Sequence, residues 1–165
     1  MLRLILFFLL MLPSFYAKAQ DSLQPLPVDK AFELHAELTK TDSLNISWII
    51  AKGYYLYRDK IHFSIIQPKN ALIGNYQFPN GVKKNDKFFG PQIVYKDNLQ
   101  VFLPISFAAG ENLRLKIAYQ GCSLAGFCYP PVDKILSINA KDKTLAIEQP
   151  NEIQPPKTNS PLGSE

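Results

Sequence analysis

The chain is poor in the residues that staple or metallate small proteins, with 2 Cys, 2 His and 1 Trp in 165 residues. Two cysteines cannot hold a disulfide-dense miniprotein together, and alone they cannot supply the four ligands of a structural zinc site. Long apolar runs are also missing. The longest, Leu4 to Leu12, falls far short of the ~20 residues that a membrane-spanning helix needs. Basic runs are short: Lys83-Lys84 and the pair Lys141 and Lys143 carry no interleaved aromatics, which excludes a nucleic-acid stripe. No segment has a convincing 3.6-residue period, and no internal repeat is found. What the chain does have is apolar and aromatic, with 47% hydrophobic residues, 11 Phe and 8 Tyr. At 19% charged it is no disordered chain, and its length fits one domain.

Arg3 opens a positive start, the apolar run follows, and Ala17-Lys18-Ala19 supplies a small-x-small site. This is the pattern of a secretory signal over residues 1–19, cleaved after about Ala19. No Cys follows the run, so a lipid anchor has no acceptor. The signal holds two bases and no acid, leaving sixteen bases against fourteen acids, so the pI near 9.0 overstates the basic character. Export also places the cysteines where disulfides form and persist.

The mature chain reads as strands. After an extended, Pro-containing lead-in over 20–27, Phe32, Leu34, Ala36 and Leu38 alternate with polar residues, as do Leu44, Ile46, Trp48 and Ile50. Further strands are expected at Tyr54-Tyr55-Leu56-Tyr57, at Ile61 to Ile65, at Ile93 and Tyr95, at Leu99 to Ile105, at Leu113 to Tyr119, and finally at Ile135 to Ile138. Pro104 is expected at an edge or a bulge. Residues 70–90 read as loop-rich, with Pro79-Asn80-Gly81 and Gly90-Pro91 as turn signals. Short strands with turns between them make an all-β sandwich over 28–148. The Pro-rich, polar stretch 149–165 reads as a flexible tail. His35 and His62 are expected to face solvent, and Trp48 to sit in the core.

Five residues, including Gly126, separate Cys122 from Cys128. A connection of that length between adjacent antiparallel strands can bring two Cα atoms within disulfide range. So short a loop constrains the unfolded chain little, by ~2–3 kcal/mol at most. A structural bridge, a redox-active pair and free or metal-binding thiols all remain open on spacing alone, which is not that of a Cys-x-x-Cys motif.

The run Gly121-Cys122, Ala125-Gly126-Phe127-Cys128-Tyr129-Pro130-Pro131 closely resembles the N-terminal periplasmic domain of the DsbD family of bacterial thiol:disulfide interchange proteins. Gly53-Tyr54-Tyr55-Leu56-Tyr57-Arg58 is similar to that domain's tyrosine-rich strand, and Asn85-Asp86-Lys87-Phe88-Phe89-Gly90 to its cap loop. The resemblance runs from about residue 28 to residue 140. It implies an immunoglobulin-like β-sandwich with the cysteines on neighbouring strands at one end. It also implies a protein-disulfide reductase type of oxidoreductase, working as one component of a periplasmic relay. Such a module takes electrons from a thioredoxin-like domain recharged by a membrane conduit. It passes them to disulfide isomerases or cytochrome c maturation factors.

The likeness assigns the residues as well. Cys122 and Cys128 match the redox pair, with Cys128 the sulfur that joins partners. Asp86 matches an acid beside the pair, Phe88 the aromatic lid, and Tyr55 and Tyr57 tyrosines lining the site, with Phe89 next in the cap loop. No cofactor or metal is implied, because the cysteines carry the electrons, and the protein is expected to be a monomer forming transient mixed disulfides. Two positions depart from the family: Lys87 stands where an acid is common, and Phe89 where an aromatic hydroxyl is common. A base near the pair favours the thiolate, opposite to an acid. Family members continue into a membrane and a thioredoxin-like domain, so this chain is read as stand-alone or as a fragment. The competing reading is an exported β-sandwich binding module with a purely structural disulfide.

Overall fold

The structure, a computed structural model, describes residues 24–39, 43–87 and 89–148. The expected leader, the tail and Phe88 lie outside them. The chain forms β1 (Phe32–Leu38), β2 (Ser43–Ile50), β3 (Tyr54–Tyr57), β4 (His62–Gln67), β5 (Leu72–Ile73) and β6 (Val82–Asp86). It continues through β7 (Gly90–Tyr95), β8 (Asn98–Ser106), β9 (Leu113–Tyr119), β10 (Gly121–Ser123), β11 (Val132–Ile138) and β12 (Leu145–Glu148). The strands are antiparallel and lie in three four-stranded sheets, ordered β1-β2-β8-β5, β10-β3-β7-β6 and β12-β11-β9-β4.

Period-two alternation explains how the layers meet. Leu44, Ile46 and Trp48 of β2, Leu99, Val101 and Leu103 of β8, and Leu113, Leu115, Ile117 and Tyr119 of β9 all point into one buried core. Trp48 stands edge-on to Tyr119 at 5.8 Å, joining the first and third sheets. Burying a side chain of Leu or Ile size contributes roughly 1.5–3 kcal/mol, so these three strands supply most of the driving force. Leu56 and Tyr95 bring the inner face of the middle sheet into the same core. Tyr55, Tyr57, Val94 and Cys122 form a separate cluster on its outer face.

Four local differences from the sequence reading have physical causes. A helical turn, α1 (Val28–Ala31), follows the lead-in, started by Pro27, whose carbonyl accepts from the Ala31 N–H at 2.9 Å. Asp29 on this turn pairs with the buried Lys134 of β11 at 2.6 Å. The loop-rich stretch hides β6, whose Val-Lys-Lys-Asn-Asp lacks apolar alternation because it is an edge strand paired only with β7. β12 is likewise an outer strand, largely exposed. β8 is not an edge, since it lies between β2 and β5. Pro104 sits where the ladder to β2 ends and that to β5 begins, so its missing N–H interrupts neither.

Candidate functional site

The three matching stretches of sequence converge at one end of the middle sheet. β10 pairs with β3 so that Cys122 lies opposite Tyr55 and Gly121 opposite Leu56. Gly121 is required there: a Cβ would come within 2.4 Å of both the Phe32 ring and the Tyr55 carbonyl. The absent side chain lets β10 lie close against β3 and the core. The chain then turns through Ser123–Gly126, where the Gly126 N–H donates to the Ser123 carbonyl at 3.0 Å and Gly126 takes φ +93°. The Ser123 N–H donates to the Phe127 carbonyl at 2.7 Å, and Cys128 returns opposite Cys122. The two cysteines form a disulfide with Cα atoms 4.0 Å apart. Free thiols are therefore ruled out in this state, and no metal-ligating cluster occurs among the described residues.

The bridge is asymmetric. Cys122 is 0% exposed, whereas Cys128 is half-buried and lines an open hollow of about 260 Å³ with Tyr55, Asp86, Lys87 and the 123–126 turn. Behind the bridge, the Tyr57 hydroxyl lies 3.1 Å from Cys122 Sγ and donates to Asp86 Oδ2 at 2.8 Å. Tyr55 donates to the same oxygen at 3.1 Å, and the Phe89 N–H donates to Oδ1 at 3.3 Å. Lys84 Nζ stands 3.9 Å from Oδ2. These donors let a carboxylate sit 5% exposed against a disulfide without an unsatisfied oxygen.

Burial pushes both phenols above their ordinary range, Tyr57 strongly so, with the neighbouring hydroxyl and Asp86 adding to the rise at Tyr57. Both therefore remain proton donors throughout the neutral range. Tyr57 has one proton and two acceptors. A disulfide sulfur is a weak acceptor, so the proton points to Asp86 while the bridge is closed; a thiolate at Cys122 would compete for it.

Of the residues singled out from the sequence, Cys122, Cys128, Asp86, Tyr55, Tyr57 and Phe89 come together here. Phe88 lies outside the described residues. Phe89 is 39% exposed and packs edge-on to Tyr57 at 5.2 Å, with Lys60 Nζ 4.8 Å above its ring. Sequence reasoning missed Lys84, Lys60 and the strap over Tyr129. Lys84 and Asp86 share a face of β6, a signal lost when that strand reads as loop. The Tyr129 hydroxyl donates to the Leu26 carbonyl, while the Leu26 N–H donates to Tyr54 at 2.9 Å. The residue after Cys128 is thereby tied to the N-terminal segment.

Fold and site together define an immunoglobulin-like β-sandwich bearing one half-exposed disulfide, backed by a tyrosine–carboxylate cluster. Residues 22–140 match the family described as "Thiol:disulfide interchange protein DsbD, N-terminal", and the chain belongs to that family. A curated relative from Yersinia pestis, "Thiol:disulfide interchange protein DsbD", is 40% identical over 116 residues, covering 69% of this chain and 18% of the relative. The chain thus spans about a fifth of the length of the curated relatives it matches. Among solved structures, the reduced DsbD N-terminal domain of Neisseria meningitidis aligns with TM-score 0.65 and 38% identity, over 75% of this chain and 95% of that one. The complex between the DsbD and PilB N-terminal domains of the same organism aligns with TM-score 0.59 and 41% identity, over 68% and 85% of the two chains.

Proposed function

We propose that the chain is a periplasmic thiol–disulfide exchange module in which Cys122 and Cys128 cycle between disulfide and dithiol. It takes two electrons from a thioredoxin-like donor, recharged by a membrane conduit. It then reduces disulfides of exported proteins such as isomerases or cytochrome c maturation factors. A leader over 1–19, removed after Ala19, would deliver it. The observation that carries this reading is the asymmetric bridge, with one sulfur reachable from solvent and the other buried against a phenol.

Exchange then follows from the geometry. A donor thiolate attacks Cys128 Sγ, the S–S bond breaks, and its electron pair leaves on Cys122 Sγ. Tyr57 lies in place to hydrogen-bond that thiolate, and Asp86 to take part in delivering its proton. The donor's second thiolate then attacks the donor sulfur of the mixed disulfide and releases Cys128. Two electrons and two protons have entered, with no organic cofactor or metal. Reduction of an acceptor runs the same steps in reverse. Partners would reach the bridge by displacing an aromatic cap, the role that the family likeness gives to Phe88 in the cap loop. The relative solved in complex with another protein domain supports protein partners rather than small molecules.

The test is native reduction. Mixed with a thioredoxin-type donor poised near about −270 mV, the folded protein is expected to lose its disulfide rapidly. A bridge that yields only after unfolding would establish the structural reading instead.

A further inference from the structure

The cationic side chains of this molecule are unevenly placed. Among the described residues, fourteen Lys and Arg face ten Asp and Glu. Arg58, Lys83, Lys84 and Lys87 line two hollows that share Lys84 and Asn85, the second of which contains Cys128, and Lys60 sits over Phe89, which packs on Tyr57. The only acids among these linings are Asp59, paired with Arg58 at 3.1 Å, and the buried Asp86. Five bases against two acids at the site leave nine against eight over the rest, so most of the excess positive charge surrounds one end.

Three of these lysines are placed by contacts with residues around the disulfide. Lys84 Nζ lies 5.0 Å from the Tyr55 ring centre and 3.9 Å from Asp86. Lys60 is fixed over Phe89. Lys87 Nζ comes within 3.4 Å of where a Cβ on Gly126 would stand, placing it beside the turn between the cysteines. The turn itself presents Leu124 and Phe127, 60% and 43% exposed. An apolar tip with lysines on the hollow beside it is a contact surface with a charge preference.

Resting on the exchange reading above, we infer that this cluster of basic side chains selects partners whose disulfide is flanked by acidic side chains, speeding their encounter with Cys128 and slowing that of cationic partners. Charges at this range act through long-range steering, which raises association rates at low salt and fades as the Debye length shortens.

Small disulfides of different charge isolate the effect. The reduced protein is mixed with dianionic dithiodipropionate, neutral hydroxyethyl disulfide or dicationic cystamine. Each probe takes two electrons to become two thiols as Cys122 and Cys128 close. Rates, read by acid quench, alkylation and mass spectrometry, are normalised to those of the neutral dithiol dithiothreitol with the same probes. The anionic probe is expected to outpace the cationic one by about 10-fold at low ionic strength and by about 2-fold near 0.5 M salt. The double variant Lys60→Glu, Lys87→Glu should bring the ratio to one or below. Lys141→Glu, in the turn beyond the opposite end of β11, should leave it intact. Equal normalised rates for all three probes would overturn the charge preference alone. Failure of the neutral probe to react would overturn the exchange reading on which it rests.

Discussion

Tyr57 has a single hydroxyl that reaches both Cys122 Sγ and Asp86, which makes it the first residue to test in the proposed exchange. Tyr57→Phe removes that donor while keeping the ring against Phe89. The variant is expected to fold, and its interchange with a dithiol donor to slow by about 10-fold, the value of one hydrogen bond made to a charged leaving group. Stopped-flow kinetics would show it; an unchanged rate would remove Tyr57 from the mechanism.

Tyr119 makes the opposite case. Its hydroxyl is buried with no hydrogen-bond partner, and burial raises its pKa. Tyr119→Phe is expected to be neutral or to stabilise by up to ~1 kcal/mol at pH 7 in urea unfolding. For a phenol whose pKa is raised by folding, the contribution is complete below the unfolded value near 10. It is lost as pH rises further, because the unfolded chain ionises first. Tyr119→Phe should therefore flatten the alkaline loss of stability above about pH 10 by up to ~1.4 kcal/mol per pH unit.

At the scale of elements, the close approach of β10 to β3 depends on Gly121. Gly121→Ala drives a methyl into Phe32 and the Tyr55 carbonyl and is expected to cost about 1–3 kcal/mol, measured as a lower urea midpoint. Unaltered stability would mean the strand can move away. If Phe88 has the covering role proposed for it, Phe88→Ala is expected to speed oxidation of the dithiol by hydroxyethyl disulfide, and no change would remove that role. The strands readable from sequence were those with one wet and one dry face, such as Leu44 to Ile50, where alternation reports burial directly. β6 was illegible because an edge strand at a polar site buries little on either face. Its two informative residues, Lys84 and Asp86, contact each other and the site tyrosines rather than the core. The pairing of β10 with β3 was equally hidden. Three residues have no period, and only the Gly-Cys and Phe-Cys-Tyr-Pro-Pro signature pointed to that end of the sheet.

On the scale of the whole molecule, the sandwich works as a rigid mount. Its core is closed by Trp48 and the β9 leucines, while one end carries a disulfide between a fully buried and a half-buried cysteine. A structural staple has no need of that asymmetry, nor of a buried carboxylate and two phenols behind it. The most direct test is to trap the exchange. Cys122→Ala, incubated with an oxidised thioredoxin-like protein, is expected to accumulate a mixed disulfide that mass spectrometry places at Cys128. Cys128→Ala should accumulate little, because Cys122 is buried. No covalent adduct with Cys122→Ala, or equal trapping by the two variants, would contradict the account.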